Sequence, residues 1–219
     1  MVIRMLLACL AAALAGGAAA QSPDTHQHRF HDAERWAQVF DDPARDAWQK
    51  PHEVIDALRL AADAVVADIG AGTGYFSARL ARRLPEGRVY AVDLEPDMVR
   101  HLAQRATREG LKNLSAVRGS PAEANLPEPI DLALLVDVYH HIADRPAYFA
   151  RLKDSLKAGG RVAIIDFRID SPVGPPRAAR IASGQVEREM AQAGYRVAES
   201  HRFLPNQYFL VFVPSGAAR

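Results

Sequence analysis

Two periods of apolar spacing alternate along this chain, and the places where one gives way to the other predict its elements. Val65 to Ile69 is a short, β-branched apolar run, the pattern of a strand buried on both faces. From Tyr75 to about Leu84 the spacing becomes helical, with Phe76, Leu80 and Leu84 on one face. Arg88 to Val92 reads as a second strand and ends in Asp93. Pro96 opens a helix that runs to about Glu109 and closes at Gly110. Leu114 to Val117 and Ile130 to Val136 are strands three and four, a helix follows from about Pro146 to Leu156, and Arg161 to Phe167 is strand five. Gln185 to Ala193 is a helix ended by Gly194. Tyr195 to Phe203 and Gln207 to Val213 are the last strands, joined by a turn short enough for an antiparallel hairpin. Upstream, helical patterning from Asp32 carries Trp36, Val39 and Phe40 and breaks at Asp41-Asp42-Pro43. Ala44 to Trp48 makes a short turn, and Pro51 starts a helix with Val54, Ile55 and Leu58 on one face.

The chemistry concentrates where strand one meets its helix. Gly70, Gly72 and Gly74 alternate there with Ala71 and Thr73, which lets the backbone turn sharply and a ligand approach closely. Strand, glycine loop, helix, strand and acid form the βαβ pattern of nucleotide-type sites. A dinucleotide fingerprint places its third glycine three positions after the second, and that position is Tyr75. Asp68, two residues before the first glycine, would repel a pyrophosphate and suit a cation. Asp93 suits a pair of ribose hydroxyls. A cationic, ribose-bearing ligand without phosphate describes S-adenosylmethionine, with NAD the weaker reading.

Asp68-Ile-Gly-Ala-Gly-Thr-Gly74 together with Asp93 resembles motif I and the following motif of class I S-adenosylmethionine-dependent methyltransferases. Lys157-Ala158-Gly159-Gly160 is similar to that family's turn before strand five, with Ala158 where proline is usual. The resemblance covers roughly residues 53–213. It implies an α/β, Rossmann-like fold: a seven-stranded, mostly parallel sheet with a C-terminal antiparallel hairpin and helices on both faces. It further implies that Asp68, Gly70, Ala71, Gly72, Thr73 and Gly74 surround the methionyl part of the cofactor, and that Asp93, with Leu94 beside it, holds the ribose. Ser120 to Glu123, among them Ala122 and Glu123, would edge the adenine, although Pro121 stands where the family usually has aspartate. Asp137, at the end of strand four, would lie near the methyl group. Tyr139, His140 and His141 are the acceptor-side candidates. The histidine pair resembles that of quinone-biosynthesis C-methyltransferases, and one of the two suits a base, since imidazole titrates near neutrality. Anchoring of the next loop by hydrogen bonds explains the pair equally well. Asp166 is a second strand-end carboxylate at the same edge, or equally an ordinary strand-end acid bonded to a backbone N–H. Tyr208 and Phe209, with Asn206 and Gln207 beside them, lie where the hairpin can reach the acceptor in this fold, although core packing explains the aromatics as well.

Composition narrows the partners. Lys plus Arg total 27 against 26 Asp plus Glu, so no net field favours nucleic acid or an anionic membrane. The Asn/Asp-Pro-Pro-aromatic signature of amide methylation is absent after strand four, which favours a small-molecule acceptor. Met1 to Ala20 reads as a secretory leader: Arg4, an apolar stretch, then small residues that fit cleavage before Gln21. It is too short for a membrane span, and no stable membrane insertion is expected. Cys9, the only cysteine, lies in that leader, so a mature chain would lack the thiols that arsenite methyltransferases use. His26, His28 and His31 read as a solvated tail, and no metal site is expected. Residues 21–52 form a polar segment and then helices that either pack on residues 53–213 or also act as a lid over the cofactor; 214–219 is a tail. Three functions fit. One is a methyltransferase exported to the periplasm, or cytoplasmic if the leader is not used. Another is an exported binding protein that kept the fold without turnover. The third is a nicotinamide-dependent oxidoreductase, opposed by Tyr75. Oligomeric state is not legible.

Overall fold

Residues 32–216 are described by a computed structural model; the leader expected over 1–20, and His26, His28 and His31, lie outside the described residues. Seven strands form one sheet: β1 (Val65–Ile69), β2 (Arg88–Asp93), β3 (Leu114–Arg118), β4 (Ile130–Val136), β5 (Leu156–Phe167), β6 (Tyr195–His201) and β7 (Gln207–Pro214). Their order is β3-β2-β1-β4-β5-β7-β6. The first five run parallel, while β7 pairs antiparallel with both β5 and β6. Parallel neighbours need a crossover between them, here carried by helices except for the loop from β3 to β4, and the antiparallel terminal hairpin needs only a short turn. The chain order reverses between β1 and β4, the position where open α/β sheets bind ligands at their carboxyl ends.

Each face of the sheet carries its own core. The helices α3 (Pro51–Ala57), α4 (Tyr75–Arg83) and α5 (Pro96–Arg108) cover one, burying Val54, Leu58, Leu80 and Leu102 against Val66, Leu132 and Leu134. On the other, α6 (Arg145–Leu152) and α7 (Ser183–Gln192) bury Phe149, Leu152, Val186 and Met190 against Ala133, Leu135, Val162 and Ile164. Strands β1 and β4 are apolar except for Asp68 and Asp131 because both their faces are covered, at about 1.5–3 kcal/mol per fully buried large side chain.

Two boundaries differ from the periodicity. The helix expected to reach Leu156 ends at Leu152 and tightens into a 3₁₀ turn over Lys153–Ser155. Strand five begins at Leu156, so Lys157 to Gly160 belongs to a strand with a register shift opposite Ile130/Leu132. Gly159 takes φ 78° within it, a bulge that the glycine pair disguised as a turn. Strand six stops at His201, two residues before the expected end.

Ahead of the sheet, α1 (Ala33–Phe40), a 3₁₀ turn (Pro43–Arg45) and α2 (Asp46–Gln49) lead into α3. Asp32 and Asp42 cap the first two of these by accepting from Arg35 N and Ala44 N. Lys50, at φ 46°, makes the left-handed turn that lays α2 across the carboxyl edge of the sheet.

Candidate active site

The loop after β1 is held to β2 by its own backbone. Gly70 N and Ala71 N both donate to Val92 O, at 2.8 and 2.9 Å. Gly72 N donates to Asp93 Oδ2 at 2.8 Å, and Glu95 N donates to Asp93 Oδ1 at 2.9 Å. The carboxylate of Asp93 thus shapes the loop and keeps lone pairs for a ligand. Burial pushes it above the ordinary carboxylate range, partly offset by these N–H donors. Leu94, next to it, is 46% exposed, an apolar side chain left on the surface beside an acid.

Asp68 lies differently. It is 3% exposed, and Ser77 Oγ donates to its carboxylate at 2.5 Å, tying β1 to the start of α4. Burial raises it to about 6, with the Ser77 bond opposing and the charge of Asp93 adding. Its contact is therefore with the helix, and its influence on a ligand is electrostatic.

Asp137 follows β4 at φ 58°. Its oxygens accept from two amides distant in sequence: Gln49 Nε2 at 3.0 Å and Gln207 Nε2 at 2.6 Å. Burial, then the nearby charge of Asp166, lifts it to about 7, against the pull of Arg45. Arg45 itself donates to Gln49 Oε1 and to the carbonyl of Phe40. One polar chain therefore runs from the N-terminal segment through Gln49 and Asp137 to β7.

The same segment is pinned to the glycine loop. Asp41 accepts from Thr73 Oγ1 at 3.1 Å and from Arg105 at 2.9 Å, and Arg105 also donates to Thr73 O. Tyr75 and Arg79 donate to Asp46. A Cβ on Gly72 would stand 3.3 Å from the Phe40 ring, so the ring lies directly on the loop. Trp48 meets Phe167 at 5.7 Å on the far side. These contacts pack the segment against the loop in one arrangement. Gln49, Arg45, Asp41 and Arg105 carry it, and none of them was marked by the sequence.

The acceptor-side candidates part company. His140 Nδ1 lies 2.8 and 3.0 Å from the two oxygens of buried Asp166, and its backbone N donates to the same carboxylate at 3.3 Å. Burial pulls this imidazole down, but the bond to Asp166 and its charge outweigh that and raise it. The His141 ring stands 4.1 Å from that of His140. Tyr139 does not join them, a correction to the expected trio. It is fully buried, stacks on Phe149 at 5.5 Å, and donates to Glu189 at 2.6 Å. The 3₁₀ turn over Tyr139–His141 rotates it into the core beneath α6 and α7. The Ser120–Glu123 turn is closed on itself: Ser120 Oγ accepts from Ala122 N and Glu123 N, with Ala122 and Glu123 exposed.

Residues 67–162 match the methyltransferase domain family. Trans-aconitate 2-methyltransferase of Afipia carboxidovorans is 27% identical over 155 residues, 70% of this chain and 57% of that protein. An uncharacterised methyltransferase of Mycobacterium bovis is 31% identical over 115 residues, 52% of this chain and 56% of the relative. The chain spans about half the length of such curated relatives. In fold, it superposes on a SAM-dependent methyltransferase from Aquifex aeolicus with TM-score 0.75 at 23% identity, covering 83% of this chain and 97% of the other. The chain is thus similar to S-adenosylmethionine-dependent methyltransferases over its central part and shares their fold.

The cofactor of class I methyltransferases, S-adenosylmethionine, fits the donor set of this edge. Two carboxylates, Asp93 and Asp137, stand beside the glycine loop, and Asp68 lies beneath it; this is chemistry for a cation and a diol, not for pyrophosphate. The exposed apolar face of Leu94 beside Asp93 suits a purine. The glycine at position 72 leaves only the Phe40 ring above the loop.

Proposed function

We propose that this chain transfers the methyl group of S-adenosylmethionine to a small-molecule acceptor by in-line displacement. One observation carries the reading: the glycine loop with Asp93, the Asp137 carboxylate and the His140–Asp166 pair meet at one sheet edge beneath the N-terminal segment. When bound, the sulfonium supplies a methyl group already activated as an electrophile. What remains for the protein is to orient, exclude water and handle a proton. Asp93 would bind the ribose hydroxyls and Asp137 would stand by the positive charge. The segment from Phe40 to Gln49 closes the edge against water. Asp166, bonded to Nδ1 of His140, leaves Nε2 as the nitrogen available to take a proton from an acceptor. Relatives named for small compounds support a small acceptor: trans-aconitate in the curated relative, and mitomycin in a 7-O-methyltransferase of TM-score 0.61, 17% identity, covering 84% of this chain and 54% of that one. The leader over residues 1–20 supports export to the periplasm after cleavage near Ala20.

Calorimetric titration of S-adenosylmethionine, with NAD as the control, tests the reading. Binding should be seen for S-adenosylmethionine alone and weaken by about 1.5–3 kcal/mol in Asp93→Ala, the scale of hydrogen bonds to a charged group. A folded protein that ignores S-adenosylmethionine, or takes NAD instead, would sink it. Replacing His140 by Ala should cut turnover about 10²–10⁴-fold, the usual worth of a positioned base, without loss of cofactor binding.

A further inference from the structure

Alongside this edge, α7 and the β6–β7 hairpin border a cavity of ≈ 370 Å³, lined by Ser183, Glu187, Ser200, Arg202, Gln207 and Tyr208 among others. That volume falls within the range of small-ligand sites. Three of its lining residues carry a buried polar atom without a hydrogen bond among the described residues: Nε2 of His201, which lies 3.3 Å from Glu199, and, with no charged neighbour of that kind, the hydroxyl of Tyr208 and Oε1 of Gln207. Native proteins rarely leave such atoms unpaired, because each costs about 1–3 kcal/mol of desolvation unless a ligand or water meets it.

Gln207 and Tyr208 both sit beside the reacting edge. Gln207 uses its other amide atom, Nε2, on Asp137. Tyr208 pairs across the antiparallel ladder with Asp166, which places the two side chains on one face of the sheet. Burial first, and then the charge of Asp166, pushes the Tyr208 hydroxyl well up, so it stays a neutral donor at working pH. Arg168 also lines the cavity, but its guanidinium is committed to the carbonyls of Leu204, Pro205 and Gln207 and to Asp170. Glu187 and Arg202 also line the cavity.

We propose that this cavity is the methyl-acceptor pocket, and that Gln207 and Tyr208 recognise a non-anionic molecule presenting an O–H or N–H donor. Oε1 of an amide can only accept, so the ligand must donate to it. A carboxylate led into this end would instead approach Asp137 and Asp166, two buried acids. The inference rests on the methyltransferase reading and adds the acceptor's class and entrance to it.

The test uses the whole chain with catechol as the neutral hydroxyl probe and trans-aconitate as the anionic one, read by saturation-transfer NMR. Calorimetry of S-adenosylmethionine runs in parallel on wild type, Tyr208→Phe and Ser200→Trp. Wild type should bind catechol over trans-aconitate. Tyr208→Phe should bind catechol about tenfold more weakly, the loss of one hydrogen bond. Its melting temperature should hold or rise, because the hydroxyl it removes has no hydrogen-bond partner among the described residues. Ser200→Trp should block catechol, and both variants should keep wild-type affinity for S-adenosylmethionine. Catechol binding unaffected by both substitutions, absent from a wild type that binds the cofactor, or weaker than that of trans-aconitate would overturn the assignment. Failure of the wild type to bind S-adenosylmethionine would strike the underlying methyltransferase reading instead.

Discussion

A methyl group added at Gly70 would lie 2.4 Å from Val138 Cγ2, on a backbone at φ 71° that side chains rarely adopt. Gly70→Ala should therefore destabilise the protein by at least about 1–3 kcal/mol, measured by urea unfolding. Val138→Ala should recover part of that loss in the double variant, because the clash is with its side chain. At this scale the glycine spacing and Asp93 were legible from the sequence, since local backbone geometry imposes them on the loop itself. Tyr139 was not. Three adjacent side chains in a 3₁₀ turn point in different directions, and only the packing of Phe149 and Glu189 decides which of them enters the core.

At the scale of elements, α1 and α2 are the parts whose role depends on contacts far along the chain. Arg105, on α5, joins Asp41 to Thr73 O with a side chain only 12% exposed. Arg105→Ala should cost about 1–3 kcal/mol by loss of charged hydrogen bonds. It should also raise the rate of limited proteolysis within residues 33–50 and the KM for S-adenosylmethionine. Cleavage and KM both unchanged would show that the segment is held by its apolar contacts alone. Helix and strand identities were readable because amphipathic period survives in each segment. The Lys157–Gly160 bulge and the early end of α6 were not, because glycine signals a turn and a bulge alike.

At the scale of the whole molecule, Asp68, Asp93, Asp137 and His140 among the described residues hold protons more tightly folded than unfolded, and His101, which burial lowers, opposes them. Burial raises Asp68 to about 6 and Asp137 to about 7 from an unfolded value near 3.8, and Asp166, outweighing burial, raises His140. The native state therefore binds more protons than the unfolded chain between roughly pH 4 and 7, so the slope of stability with pH is negative there. The His140 contribution is present in full below about pH 6.5 and is lost as pH rises through its raised folded value. Asp46 and Glu189, which hydrogen bonds from Tyr75 and Arg145 hold low overall against burial, act at lower pH and leave this window alone. The ligand-free protein should be more stable at pH 5.5 than at pH 8 by on the order of a few kcal/mol, and so melt at higher temperature at pH 5.5. Asp137→Asn should flatten that slope. S-adenosylmethionine should shrink it too, since a cation favours the ionised carboxylates. Scanning fluorimetry across pH, with and without the ligand, reads all three outcomes.

The sequence by itself determined the strand and helix order, the glycine loop, the two strand-end acids and the family resemblance, all features written in residues close along the chain. Tertiary structure alone decided that Gln49 and Gln207 would meet on Asp137, 88 and 70 residues away respectively, and that Phe40 would lie over Gly72. It likewise decided that Asp166 would orient His140 and leave the Tyr208 hydroxyl unpaired. The reason is physical: periodicity records which face of a segment is buried, whereas a polar contact across the fold depends on where two such faces come to rest.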